Sequence, residues 1–122
     1  MNAKILVIDD DASIRDMLCS YLQSNGFSVV TASTGAEALR QCQNEKFDLI
    51  TLDIVLPDAD GLDLLANIRS LAPDTPIIIA TGNDPDQVLI NTAKRRGASG
   101  FASKTAPLKE LLSQVQALIG LQ

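Results

Sequence analysis

Residues 49–61, LITLDIVLPDADG, place a strand signal, a carboxylate and a helix start within one short stretch. The run at residues 49–52 is rich in Leu and Ile, which is typical of a strand buried on both faces. It ends at Asp53, and Asp60 stands where it can cap a following helix. That helix is predicted by the spacing of Leu62, Leu65 and Ile68. The stretch therefore predicts a strand that delivers an aspartate to the start of a connection.

The same alternation of strand and helix signals recurs along the chain. The other strand-like runs are residues 5–8, 29–32, 77–80 and the weaker 100–103. The other helical spacings are Ile14–Met17–Leu18–Tyr21–Leu22, Ala36–Leu39–Cys42, Val88–Leu89–Ala93 and Leu108–Leu111–Leu112–Val115–Leu118–Ile119. Five such alternations predict an α/β fold, (βα)5, with a doubly wound parallel sheet and helices on both faces. No linker or repeat interrupts them, so residues 1–122 are expected to form one domain.

Composition excludes several classes of function. The net charge of −5 argues against nucleic acid or an anionic membrane as a direct partner. No leader pattern and no apolar run of membrane-spanning length occurs, which favours a cytoplasmic protein. The chain has no histidine, so Ser-His-Asp, Cys-His and His-zinc mechanisms are excluded. Cys19 and Cys42 are expected to be buried thiols rather than a disulfide.

Polar residues follow the predicted strands at the points where ligands bind in open α/β sheets. They are Asp9, Asp10 and Asp11 after the first run, Asp53 after the third, Thr81 and Gly82 after the fourth, and Lys104 after the fifth. In isolation each has an ordinary explanation, such as a turn former, a helix cap or a surface lysine, and Asp11 is expected to be a turn former or a helix cap. Because the strands are predicted to be parallel, these side chains are expected to meet at one edge of the sheet.

Carboxylates brought together in this way repel, so either one takes a proton or a cation sits between them. Two of them 4 Å apart repel by roughly 4 kcal/mol at an effective dielectric constant of about 20. Magnesium suits a site of few carboxylates completed by water and phosphate oxygens. A carboxylate can also attack phosphorus, with Lys104 and Thr81 placed to contact the phosphoryl oxygens. The pattern therefore indicates phosphoryl chemistry at a magnesium site.

With these residues the chain resembles the response-regulator receiver domains of two-component signalling over essentially its whole length. The matching stretches are ILVIDDD at residues 5–11, LDIVLPDADG at 52–61, ATG at 80–82 and GASGFASK at 97–104. The resemblance implies the sheet order 2-1-3-4-5. It also implies the following roles: Asp53 as phospho-acceptor; Asp10, Asp53, the Val55 backbone carbonyl and, through water, Asp9 as magnesium ligands; Thr81, Gly82 and Lys104 as phosphoryl-binding residues; Thr81 and Phe101 as switch residues.

The resemblance further implies the partners. The phosphoryl donor would be a phosphohistidine of a sensor histidine kinase or a histidine phosphotransfer protein. The receiver of the signal would be a downstream effector or output domain, and dimerisation on phosphorylation is a further expectation. Such a domain is not a conventional enzyme, although it would catalyse its own phosphorylation and dephosphorylation. The expected response is a population shift of the face formed by helix 4, strand 5 and helix 5.

Three features depart from the family pattern. Lys104 is followed by Thr105 where the family usually has proline; a cis bond there would cost roughly 3–4 kcal/mol, so trans is expected. Asp58 and Asp60 add acid near the metal, Asp60 as a helix cap and Asp58 as a turn residue or a group that blocks the metal site. Val55 and Asn83 flank the phosphoryl position and are expected to tune the lifetime of the phosphate.

Three other functions fit the residues less well. A phosphatase of the haloacid dehalogenase type, which also uses an aspartyl nucleophile, needs a second aspartate at the position of Val55. A flavin carrier needs a glycine- and hydroxyl-rich phosphate loop where this chain has aspartates. An interaction module without phosphorylation would not need the acidic set with Thr81 and Lys104. The run Lys94-Arg95-Arg96 fits a solvated helix end or a docking surface.

Overall fold

Five parallel strands form the central sheet of the molecule, which a computed structural model describes at residues 2–82 and 85–120. The strands are β1 (Lys4–Ile8), β2 (Ser28–Ala32), β3 (Leu49–Asp53), β4 (Ile77–Thr81) and β5 (Gly100–Ser103). They lie in the order β2-β1-β3-β4-β5, and each neighbouring pair is parallel. The predicted α/β class and strand order are therefore confirmed, with strand bounds within one residue of the predicted runs.

A helix follows each strand. The helices are α1 (Ala12–Ser24), α2 (Gly35–Asn44), α3 (Gly61–Leu71), α4 (Gln87–Arg95) and α5 (Leu108–Ile119). Buried side chains of α1 and α5 pack on one face of the sheet, and those of α2, α3 and α4 pack on the other. Within the described residues no helix has both the length and the apolarity needed to cross a membrane.

The central strands are apolar at successive positions because both of their faces are covered. In β1, Leu6 and Ile8 join the core under α2–α4, whereas Ile5 and Val7 join the core under α1 and α5. The edge strand β2 is less buried than the central strands, since its first four residues are only half-buried. An edge strand has one neighbour in the sheet, and the covering helices do not enclose it completely.

The connection from β3 to α3 is held by a close backbone approach. Val55 and Asp60 form an antiparallel bridge, and Asp60 caps α3 by accepting a hydrogen bond from the Leu62 amide at 2.8 Å, as predicted. Gly61 is buried, and a side chain there would collide with the carbonyl group of Ile54. Glycine at this position therefore lets the two ends of the connection touch.

Replacing Gly61 with alanine is expected to destabilise the fold by about 1–3 kcal/mol, because backbone rather than a flexible side chain must move. Gly82→Ala is the control, since a Cβ there would meet nothing within 4 Å, and its effect should stay within about 0.5 kcal/mol. Urea denaturation of both variants measures the difference. Equal losses of unfolding free energy in the two variants would contradict the close approach as its cause.

Candidate functional site

The carboxyl ends of the parallel strands bring the predicted polar residues to one edge of the sheet. Asp53 is the last residue of β3 and Thr81 is the last residue of β4, and both are buried. Asp9 directly follows β1, and Lys104 directly follows β5. Residues separated by up to 95 positions in sequence thus become neighbours because each strand runs in the same direction.

Asp9, Asp10 and Asp53 form an acidic cluster. Each offers one carboxylate oxygen, and these three oxygens lie within 4.8 Å of one another. Asp9 is only 1% exposed and Asp53 only 4%, whereas Asp10 faces solvent. The cluster therefore has two desolvated carboxylates and one opening toward water.

Lys104 joins the two buried acids. Its Nζ donates a hydrogen bond to Asp53 Oδ2 at 2.8 Å. The same Nζ forms an ion pair with Asp9 Oδ2 at 2.7 Å. One ammonium thus partly balances three carboxylates, and the cluster keeps an excess of negative charge.

Backbone amides aim the other oxygens of the buried acids. Asp53 Oδ1 accepts a hydrogen bond from the Val55 amide at 3.0 Å, and Asp9 Oδ1 accepts one from the Asp11 amide at 2.9 Å. Arg15 donates to the backbone carbonyl of Asp9 at 2.8 Å. Each carboxylate is therefore oriented by the turn that follows its strand.

Burial and the ion pairs act in opposite directions on the ionisable groups. Burial raises the pKa of Asp53, and this outweighs the lowering by the Lys104 and Val55 hydrogen bonds and the Lys104 charge. Burial alone would lower the pKa of Lys104, but its contacts with Asp53 and Asp9 raise it overall. Lys104 is consequently held in its charged form, whereas the charge on Asp53 is costly unless more positive charge is supplied.

The turn after β5 fixes Lys104 without the usual proline. The Lys104 amide donates to the Thr81 carbonyl at 2.7 Å, and the Thr105 amide donates to Ser103 Oγ at 3.2 Å. The Ser103 and Thr105 hydroxyl groups lie 2.9 Å apart. The bond between Lys104 and Thr105 is trans, as predicted, because no peptide bond in the described residues is cis. Hydrogen bonds thus hold this turn.

The remaining acids lie outside the cluster. Asp11 caps α1, accepting from the Ser13 amide at 2.8 Å, as predicted. Asp58 accepts hydrogen bonds from the amides of Gly35 at 2.8 Å and Ala36 at 3.2 Å, so it caps α2 and does not belong to the acidic cluster of the described residues. Sequence reasoning missed this role, since its partners precede it by 22 and 23 residues and leave no local signal.

The other predicted residues lie as follows. Val55 is 74% exposed and carries no carboxylate, and it lines one cleft with Asp53, Thr81 and Gly82. Phe101 is half-buried against the core under α2–α4. Asn83 lies outside the described residues.

Cys19 and Cys42 are half-buried free thiols, and burial raises the pKa of Cys42. The basic run ends α4, where Arg96 pairs with Asp63 at 2.9 Å.

The donor set fits a hard divalent cation. Carboxylate and carbonyl oxygens are the ligands that magnesium prefers, and the exposed Asp10 leaves room for water in the coordination shell. The excess negative charge of the cluster supplies the electrostatic reason for a cation. The residues present therefore match the metal that the sequence predicted.

Comparison with known proteins agrees with this geometry. The family model of the response regulator receiver domain matches residues 5–116. The alkaline phosphatase synthesis transcriptional regulatory protein PhoP of Bacillus subtilis (strain 168) is 38% identical over 98% of this chain and 49% of its own length. Response regulator MprA of Mycobacterium bovis (strain BCG / Pasteur 1173P2) is 35% identical over 98% of this chain and 51% of its own length. The chain thus spans about half of each relative.

Solved structures give the same result. A CheY-like response regulator receiver domain protein from Methanospirillum hungatei JF-1 superposes with a TM-score of 0.93 at 30% identity, over 98% of this chain and 95% of that one. A response regulator from Burkholderia pseudomallei, described with a phosphorylated aspartic acid, calcium ion and citrate, gives a TM-score of 0.87 at 31% identity, over 98% and 69% of the two chains. The chain therefore belongs to the response regulator receiver domain family of two-component signalling.

Proposed function

We propose that this chain, residues 1–122, is a phosphorylation switch in which Asp53 accepts a phosphoryl group from a partner phosphohistidine. The observation that carries the proposal is the buried Asp53 carboxylate, paired with Lys104 and adjoining two further acids at the sheet edge. A relative whose structure is described with a phosphorylated aspartic acid adds support.

Transfer needs positioning more than proton chemistry. One oxygen of the Asp53 carboxylate forms the new bond to phosphorus. The bond from phosphorus to the donor imidazole nitrogen breaks, and its electron pair returns to that nitrogen. Lys104 moves from its pairing with the free carboxylates to the phosphoryl oxygens, and the Thr81 hydroxyl and Gly82 amide bind further oxygens.

The metal ligands proposed are the carboxylates of Asp10 and Asp53, the Val55 backbone carbonyl and, through water, Asp9. When bound, Mg²⁺ supplies positive charge that neutralises the acids and the phosphoryl oxygens. Asp53 is held ready by its hydrogen bond from Val55, so the carboxylate needs little reorientation before attack.

The phosphoryl group carries about −1.5 to −2 charges near neutral pH but replaces the single negative charge of the Asp53 carboxylate, and the proposed conformational change responds to the net gain of about 0.5 to 1 negative charge. Thr81 and Phe101 are the proposed relays from the phosphate to the face of α4, β5 and α5. Phe101 lies in β5, whose Ser103 pairs in register with Thr81 of β4, so the two residues belong to adjoining strands. The output is a population shift between two arrangements of that face.

The proposed partners follow from the same chemistry. The donor is a sensor histidine kinase or a histidine phosphotransfer protein, because this chain has no histidine of its own. The recipient is an effector or output domain, and one relative described as a transcriptional regulatory protein is about twice as long as this chain. A cytoplasmic location and dimerisation on phosphorylation complete the proposal. The phosphatase alternative stays weak because exposed Val55 stands where its second aspartate would be.

Incubation with acetyl phosphate and Mg²⁺ is expected to add one phosphoryl group to the wild-type chain and none to Asp53→Asn. The asparagine side chain lacks the carboxylate nucleophile, yet it preserves the shape of the site. Asp63→Asn is the matched control, because Asp63 is exposed on α3 and, within the described residues, its one ion pair is with Arg96. Intact-protein mass spectrometry reads out the result.

Two outcomes of this experiment would oppose the proposal. Labelling that persists in Asp53→Asn would reject Asp53 as acceptor. Repeated turnover of a small phosphate ester, without accumulation of phosphoprotein, would favour the phosphatase instead.

Magnesium is expected to stabilise the folded chain through the acidic cluster. At ten times its Kd, a ligand that binds only the folded state adds about 1.4 kcal/mol to the free energy of unfolding. Asp10→Asn should lose most of this gain, because an amide replaces a proposed ligand carboxylate. Asp11→Asn removes the same charge one residue away but keeps a capping oxygen for α1, so it should retain the gain.

Thermal melting with and without Mg²⁺ compares the two variants. An equal Mg²⁺ response in Asp10→Asn and Asp11→Asn would show that the cation acts on overall charge and not at the proposed site.

A further inference from the structure

The amino-terminal end of α2 is held by a residue from another part of the chain. The first amides of a helix have no partner within the helix. In α2 the Glu37 amide donates to the Thr34 hydroxyl at 3.1 Å, which is an ordinary local cap. The two preceding amides, of Gly35 and Ala36, donate instead to the two oxygens of Asp58. Asp58 and Thr34 therefore divide the capping of α2 between them.

Close packing accompanies this contact. Gly35 is buried, and a Cβ built on it would lie 2.9 Å from the Cβ of Ala59 and 3.4 Å from Asp58 Oδ1. The hydrogen bonds from Gly35 and Ala36 lower the pKa of Asp58, so its carboxylate form is the one that the helix end stabilises. The tip of the β3–α3 connection is thus docked on α2 by charge and by shape.

The same connection carries the backbone of Val55. The Val55 amide binds Asp53 Oδ1, and Val55 bridges to Asp60. The two ends of the connection also touch where Gly61 lies on the Ile54 carbonyl group. A displacement of the tip at Asp58 would therefore be transmitted over a few residues to the peptide groups of Val55.

We propose that Asp58 is a positioning residue for the phosphorylation site: by anchoring the β3–α3 connection to α2, it holds the Val55 carbonyl in place for the metal ion. This inference rests on the proposed function, since Val55 matters only if a metal binds there. Asp58 lies outside the acidic cluster of the described residues, so its influence would pass through the backbone and not through direct coordination.

The test compares Asp58→Ala and Thr34→Ala by calorimetric titration with Mg²⁺. Both variants remove capping from α2, but only Asp58→Ala releases the connection. Asp58→Ala is expected to raise the Kd for Mg²⁺ by about tenfold, the low end of the effect of residues that orient metal ligands. Thr34→Ala should keep the wild-type Kd for Mg²⁺, although its melting temperature should fall by an amount comparable to that of Asp58→Ala.

Asp58→Asn separates position from charge. It removes the charge but keeps one oxygen that can accept from the Gly35 amide, so its Kd should lie between those of the wild type and Asp58→Ala. Amide hydrogen exchange of the metal-free proteins supplies an independent readout. Exchange at the Gly35 and Ala36 amides should accelerate in Asp58→Ala, whereas exchange at the Glu37 amide should accelerate in Thr34→Ala.

The outcomes distinguish the proposals. A wild-type Kd in Asp58→Ala, or an equal rise in Thr34→Ala, would overturn the positioning role. An equal rise of the Kd for Mg²⁺ in Asp58→Asn and Asp58→Ala would also overturn it, because the charge of Asp58 would then act through space. A wild-type chain that binds no Mg²⁺ would refute the proposed function itself, and the role of Asp58 with it.

Discussion

The candidate site depends on the crowding of buried carboxylates against one ammonium. Asp9 and Asp53 are almost fully buried, and Lys104 lies within 2.8 Å of both. Buried charges are tolerated only when they are paired, and removing one partner would leave another uncompensated. The arrangement therefore requires three strand ends to meet within a few ångströms. A parallel sheet with β1, β3, β4 and β5 side by side satisfies that requirement, because every strand delivers its carboxyl end to the same edge.

The sheet can do this because its central strands are buried and largely apolar. Successive side chains of these strands pack into two separate cores on opposite faces of the sheet. A shift of one strand by one residue would therefore move its side chains to the opposite faces. Asp53 and Thr81 end strands whose other residues are also buried. The loops that follow need only orient groups that the strands have already placed. The family pattern often uses proline after the lysine, but here the Ser103 and Thr105 hydroxyl groups constrain the turn instead.

Sequence reasoning was strongest where the signal is local. The strand runs, the caps at Asp11 and Asp60 and the trans bond after Lys104 were predicted from neighbouring residues and agree with the structure. The order of the strands came from the family resemblance, since periodicity does not reveal which strands adjoin. The meeting of the polar side chains at one edge was predicted from the parallel strands, but which atoms pair over a long sequence separation was not. The capping of α2 by Asp58 and the bridging of Asp9 and Asp53 by Lys104 depend on the folded arrangement, and the partial exposure of β2 depends on its edge position.

The two ends of the helical layer formed by α2, α3 and α4 are held differently, and this bears on how a switch could work. At the end away from the acids, the Arg69 side chain of α3 donates hydrogen bonds to the carbonyl groups of Ala72, Pro73 and Thr75. It also donates, at 2.5 Å, to the carbonyl group of Gly97, which lies just after α4. Near the acids, Asp58 fixes α2 to the β3–α3 connection. Arg69 therefore holds the carboxyl-terminal end of α4 through the turn that follows this helix. At the amino-terminal end of α4, Asp86 and Leu89 line the cleft with Thr81. The acceptor proposed at Asp53 therefore lies in the cleft at the amino-terminal end of α4, away from the end that Arg69 holds, so the proposed phosphate would meet the part of α4 with no anchor of this kind among the described residues.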